Sequence, residues 1–212
     1  MEEARHDGKS DAVLTKDISA VRRVFGPGRC LIVMGPSGSG KSTKAAQLAA
    51  ELGAVVVSYD DHQRRAEGDT GVEPVGEQAL ARAWAELDAH LAAGTLVVVD
   101  GTHCQPERRA AVREIAAAHG VETMVLVLLE PLEVCLERQR LRARRVPPAD
   151  VARRHATITA ALPTLAGEGH AAVRACLPSQ VPANELTAVP VPTAYWRRRR
   201  RRARPSQHPT PC

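Results

Sequence analysis

Apolar residues fall along this chain in short unbroken runs, separated by stretches of helical period, and that alternation predicts the architecture. Cys30-Leu31-Ile32-Val33-Met34 is the first run, followed by a glycine-rich loop and a helical stretch over 41–52 that Gly53 closes. Residues 54–58 form a second run. A polar loop from Tyr59 to about Val75 follows, then a helix over 77–93 that stops at Gly94. The third strand covers 95–100. Pro106 suits the first turn of a helix that ends at Gly120, and 122–129 is the fourth strand. Pro131 begins a helix predicted to run into the arginine-rich segment 138–145, where Pro147-Pro148 interrupts it. A further helix is predicted over 149–162 and a fifth strand over 171–177. Unbroken apolar strands alternating with helices mean an α/β fold: a doubly wound parallel sheet of about five strands with helices on both faces.

The pattern also divides the chain. Residues 1–28 carry a weak helical stripe (Val13, Leu14, Ile18, Val21, Val24) and end at Gly26-Pro27-Gly28, reading as an N-terminal extension. Residues 29–177 form the domain. From 178 to 212 seven prolines space out residues of no helical or strand period, the mark of a largely disordered tail.

Composition changes this picture mainly by exclusion. No apolar run approaches the roughly 18 residues of a membrane span, and the charged N-terminus lacks a signal peptide's apolar core, so a cytoplasmic protein is expected. Five widely spaced cysteines with no CxxC pair argue against a disulfide scaffold or a structural zinc site. The net charge of +5 misleads, because seven of the 29 basic residues lie in the last 16 positions. Without them 22 basic residues face 24 acidic ones, so the body carries about −2. Only five aromatics are present, too few to stack several bases. Tyr195-Trp196 followed by six arginines reads either as a backbone-binding tail for nucleic acid or as a solubilising block.

Chemistry enters at Gly35-Pro36-Ser37-Gly38-Ser39-Gly40-Lys41-Ser42, which matches G-x-x-x-x-G-K-[ST] after an apolar strand and at the start of a helix. Glycines let successive backbone N–H groups turn inward on a β-phosphate, above the positive end of the helix dipole. Lys41 can bridge β- and γ-phosphates, and the Ser42 hydroxyl can ligate Mg²⁺. The expected ligands are therefore a nucleoside triphosphate, ATP, and Mg²⁺. A guanine-reading Asn-Lys-x-Asp loop is impossible when the sole asparagine is Asn184, and no Leu-Ser-Gly-Gly-Gln signature of a transporter ATPase occurs. A phosphotransferase or a nucleotide-dependent switch remains.

Three further constellations lie where strands of such a sheet end. Asp60-Asp61 closes the second strand, where a carboxylate could take the proton of an attacking hydroxyl; a solvated turn or helix cap reads as well. Asp100 ends the third strand and could hold Mg²⁺ through water, or cap a turn. His103 reads as a polar loop residue. Arg138, Arg142 and Arg145 stand at i, i+4 and i+7, a row that could close over the transferring group as a lid, or form a basic face paired with Glu133 and Glu137.

From Cys30 to about His155 the sequence resembles the P-loop polynucleotide 5′-kinases. The resemblance rests on residues 35–43 ending in Thr43, on Ser58-Tyr59-Asp60, on Val98-Val99-Asp100-Gly101-Thr102-His103 with Pro106 and Arg109, and on Cys135-Leu136-Glu137-Arg138-Gln139 with Arg142 and Arg145. It implies Asp60 as general base towards a 5′-hydroxyl of DNA or RNA and the three arginines as a lid over the ATP phosphates. It also implies an acceptor site near residue 63, with Thr102 and Arg109 on the substrate side. The family reads Asp-x-x-Arg there, with the arginine gripping the phosphate next to the acceptor nucleotide. Here Gln63 holds that place and Arg64 follows it, and His103 stands where the family has asparagine. Two rivals stay open: a small-molecule kinase acting on a sugar, nucleoside or metabolite, and a nucleotide-gated nucleic-acid-binding protein without transfer activity.

Overall fold

The computed structural model describes residues 29–67 and 76–176. The expectations for the N-terminal extension, for the tail with its arginine block and for the far part of the 59–75 loop lie outside them. Five strands, β1 (Arg29–Met34), β2 (Val55–Ser58), β3 (Val97–Asp100), β4 (Glu122–Leu128) and β5 (Ala172–Cys176), form one all-parallel sheet in the order β2-β3-β1-β4-β5. Helices α1 (Lys41–Leu52), α2 (Tyr59–Glu67), α3 (Glu77–Ala92), α4 (Pro106–Ala118), α5 (Leu132–Arg140) and α6 (Pro148–Leu165) connect them.

Successive side chains of a strand point to opposite faces. In β1, Cys30, Ile32 and Met34 join a core with Leu87 of α3, Val112 of α4, and Ile158 and Leu165 of α6. Leu31 and Val33 face the other way, onto Ala45, Leu48 and Ala49 of α1. Each large apolar side chain buried this way contributes roughly 1.5–3 kcal/mol, and two such layers are what unbroken apolar strands require. Among the described residues no helix is long and apolar enough to cross a membrane.

Three elements differ from the sequence expectation, one of them the helix over Leu132–Arg140, which stops short of the end of the arginine-rich segment. Residues 59–67, expected as polar loop, form α2. Ser58 Oγ accepts the Asp61 N–H at 3.4 Å, half of a capping box, and the acidic pair Asp60-Asp61 sits favourably in the first turn. Tertiary contacts then hold the helix: Trp84 Nε1 donates to the Tyr59 hydroxyl at 3.2 Å, and His62 Nε2 lies 2.6 Å from Glu86 Oε2. The last helix likewise runs three residues beyond its expected end, through Pro163, because Leu165 at its final turn is fully buried.

A buried polar chain crosses the sheet's flank. Arg109 on α4, fully enclosed, donates Nε to Glu168 Oε2 at 2.8 Å, Nη2 to Glu168 Oε1 at 2.5 Å and Nη1 to the His103 carbonyl at 2.6 Å. The His103 ring packs on Tyr59 with centroids 4.9 Å apart, and His170 Nδ1 is 2.8 Å from Thr123 Oγ1. Burial, aided by Arg109, Arg108 and Lys41, lowers His103 to about 3. Burial lowers His170 to about 4 against the pull of Glu168. Unfolded, each imidazole titrates near 6.5. Below that pH the unfolded chain binds protons that the folded one refuses, so the stability contributed by neutral imidazoles is complete above pH 6.5 and is lost on acidification. The slope is about 1.4 kcal/mol per pH unit for each, continuing to about 4, where His170 itself protonates in the fold. Asp100, raised by burial, offsets part of this loss at the acid end. Thermal midpoints measured from pH 7 to 4.5 should fall steadily, and a flat profile would show that the imidazoles are open to solvent.

Candidate functional site

The glycine-rich loop joins β1 to α1 at the carboxyl edge of the sheet. Gly38 and Gly40 take left-handed backbone, φ 92° and 86°, which an L side chain rarely adopts. A Cβ on Gly38 would also lie 2.3 Å from the Cys135 carbonyl oxygen, so α5 presses directly on the loop. Gly40 is the N-cap of α1 and supplies no side-chain acceptor to the first turn, which leaves those N–H groups to an outside anion. Gly35, Pro36, Ser37, Gly38 and Ser39 are buried, Gly40 is half-buried, and Ser42 and Thr43 lie exposed on the first turn. Lys41 is itself only 5% exposed, so its ammonium is held within the site rather than in solvent.

Opposite the loop, Asp100 ends β3 with its Oδ1 buried and without a hydrogen-bond partner. Burial pushes its carboxyl up, while Lys41 and the hydroxyls of Ser42 and Ser58 draw it back towards the charged form. Such a buried oxygen beside a hydroxyl suits a bound divalent cation. Among the described residues no group of three or more His, Cys, Asp or Glu is placed to hold a metal alone. Ser42 and Asp100 would therefore share Mg²⁺ with phosphate oxygens, and the loop and unpartnered acceptor fit that arrangement. Asp60, half-buried at N2 of α2, lies within electrostatic reach of Asp100.

Of the lid arginines, Arg138 reaches the loop: its Nη1 donates to the Gly38 carbonyl at 3.2 Å and stands 3.7 Å from Glu130 Oε1. Arg142 and Arg145 do not share its helical face, because α5 ends at Arg140. The chain then turns, with Gln139 Oε1 accepting the Val146 N–H at 3.2 Å and the Gln139 carbonyl accepting from the Arg142 backbone at 3.2 Å. Both arginines are exposed, and Arg145 Nε donates to the Arg142 carbonyl at 3.3 Å.

On the acceptor side, Gln63 is 2% exposed and its Oε1 accepts the Gly76 N–H at 2.7 Å. Arg64 is exposed and paired with Asp61. Thr102 is half-buried, with Cys104 Sγ 3.9 Å from its hydroxyl. Arg109, expected towards substrate, points instead into the interior, where Glu168 and the His103 carbonyl take its donors. His103 lies in the loop after β3, as expected, but is fully buried there, with a positive φ of 47°. Sequence reasoning missed Arg154 altogether. It lies on α6, 6% exposed, in the electrostatic field of Asp60. Its spacing gave it away, since it falls between Val151 and Ile158 on the apolar stripe.

A family model described as AAA domain matches residues 31–162. No curated protein matches the sequence. Among solved structures, a sugar kinase from Janibacter sp. is similar at 23% identity over 75% of this chain and 90% of that one, TM-score 0.51. A chain of the Pnkp1/Rnl/Hen1 RNA repair complex is similar at 22% identity, TM-score 0.56, covering 64% of this chain and 45% of that one. A chain of the PezAT toxin–antitoxin system of Streptococcus pneumoniae is similar at 15% identity over 72% and 68% of the two chains, TM-score 0.53. At these identities the likeness shows the fold, a P-loop domain with the strand order given above.

Proposed function

The chain belongs to this AAA-domain family, and from that premise we propose an ATP-dependent kinase that transfers the γ-phosphate to a hydroxyl, with the 5′-OH end of a polynucleotide as acceptor. One observation supports the reading: Asp100 ends β3 with a buried carboxylate oxygen that lies in the field of both Lys41 and Asp60. A carboxylate able to take the acceptor's proton is what transfer to a hydroxyl calls for and what simple nucleotide storage does not.

Mg²⁺, held by Ser42 and Asp100 together with phosphate oxygens, would neutralise charge on the phosphates. Lys41 presents its ammonium to the β- and γ-phosphates. Asp60 accepts the proton as the acceptor oxygen attacks phosphorus, and the bond to the ADP oxygen breaks as the new P–O bond forms. Arg138, already over the loop, can leave the Gly38 carbonyl for an equatorial phosphate oxygen, because an anion is the stronger acceptor.

The acceptor assignment draws on the four sequence segments of the polynucleotide kinase resemblance. A second reading, a small-molecule acceptor, is favoured by Gln63, whose side-chain oxygen is committed to Gly76. γ-Labelled ATP offered with a 5′-OH oligonucleotide, a free nucleoside and a sugar separates the two. Label on the oligonucleotide, reduced about 10²–10⁴-fold in Asp60→Asn with ATP affinity retained, supports the first. Label on the nucleoside or the sugar alone supports the second. ATP hydrolysis without transfer to any hydroxyl would sink both.

A further inference from the structure

Two segments at the carboxyl edge of the sheet each end a strand and carry a carboxylate: Ser58-Tyr59-Asp60 after β2 and Asp100-Gly101-Thr102-His103 after β3. Their strands pair in register as far as Ser58 and Asp100. The ladder stops there, so side chains must set how far apart the two segments run. The His103 ring packs on the Tyr59 ring with centroids 4.9 Å apart and planes at 53°, a tilted arrangement of the kind ring quadrupoles favour. Gly101 completes the contact. A Cβ there would lie 2.8 Å from Tyr59 Cδ2 and 3.1 Å from His103 Nε2, so the three residues meet with no room for a methyl group.

Each ring is also held at its other end. Tyr59 is 1% exposed, and its hydroxyl accepts the Trp84 indole N–H at 3.2 Å. His103 is the single non-glycine residue with positive φ among the described residues. Such backbone persists only where the surroundings impose it. Arg109 does so: its Nη1 donates to the His103 carbonyl at 2.6 Å while its Nε and Nη2 grip Glu168. Burial keeps the imidazole neutral, so this wedge brings no charge beside the two carboxylates.

We propose that His103 is a positioning residue for phosphoryl transfer, its ring against Tyr59 and Gly101 fixing the separation of Asp60 from Asp100. The inference rests on the kinase reading, in which Asp60 takes the proton and Asp100 helps hold Mg²⁺, and adds to it a residue that acts only through them.

His103→Asn tests this, because asparagine tolerates left-handed backbone yet offers no ring to Tyr59. In the full chain kcat for label transfer from γ-labelled ATP should fall about 10–100-fold, the scale of a group misplaced by about an ångström. Affinity for a non-hydrolysable ATP analogue, measured by calorimetry, should stay as in the wild type. In an Asp60→Asn background the His103 substitution should cost nothing further, since one residue works through the other. Hydrogen exchange should quicken at the amides of 59–63 and 101–104 and stay unchanged in β1 and α1. Tyr59→Leu removes the same contact from the opposite side and should give the same pattern, which decides the matter if the asparagine protein does not fold. A kcat within twofold of wild type, or a loss that multiplies with that of Asp60→Asn, overturns the assignment. A wild type that labels no hydroxyl sinks the kinase reading and this role with it. Transfer by the wild type with multiplying losses sinks the role of His103 alone.

Discussion

Replacing Lys41 with methionine is expected to slow phosphoryl transfer by about a thousand-fold while leaving the domain folded. Lys41 is 5% exposed, so its charge acts at low effective dielectric, where a positive group aimed at developing phosphate charge is worth far more than in water. Methionine retains the stem volume, and the apolar layers on both faces of the sheet do not depend on the charge. The substitution also removes the strongest attraction that draws Asp100 towards its charged form, the ammonium being the first of the forces opposing burial there. Asp100 should therefore take up a proton at higher pH in the variant, weakening its hold on Mg²⁺. Single-turnover transfer measured at several Mg²⁺ concentrations checks both parts. A rate within tenfold of wild type would mean that the loop does not seat the transferring group.

Arg109→Met is expected to be the most destabilising single change in the described domain. It leaves the Glu168 carboxylate and the His103 carbonyl without the donors that now reach them at 2.5–2.8 Å. Breaking one side of a buried pair costs roughly 3–5 kcal/mol because the other charge stays in place, and the low end of that range applies here, since the Glu168 side chain is 19% exposed and keeps His170 Nε2 at 3.5 Å. For a domain of this size that corresponds to a fall in Tm of about 10–15 °C. Removing both charges, in Arg109→Met/Glu168→Leu, should recover much of the loss, since the orphaned carboxylate is gone while the His103 carbonyl still lacks its donor. Thermal unfolding of the two single variants and the double forms a cycle. Equal instability of the double and the arginine single variant would refute the account, pointing to packing rather than charge.

The two variants probe different parts of the chain's legibility. Lys41 stood in a motif whose spacing states its own geometry, since glycines, helix start and lysine are all consecutive. Arg109 stood in a motif-like context as well, yet its direction was unreadable. Its partner Glu168 is 59 residues away, and no local period says that a helix will turn an arginine inward. The failed arginine row shows the same limit. Arg138, Arg142 and Arg145 align only if the helix persists, and the Gln139 side chain folds back on Val146 to hold the turn that ends it. Residues 59–67 were the opposite case, because the Ser58 hydroxyl that accepts the Asp61 N–H is a neighbour in sequence, and the polarity of the segment hid the helix it starts.

Periodicity and one contiguous motif were enough to determine the class of sheet, the order of strands along the chain, the phosphate loop and the carboxylates at the strand ends. Those are properties of neighbours in sequence, dictated by which faces must leave water and by which backbone can cradle an anion. Only the folded structure decided where long charged side chains go. Arginine and glutamine reach far enough to choose among partners many residues away, and that choice depends on what else is buried nearby. Arg109 was thereby drawn into the interior, and Gln63 was tied to Gly76.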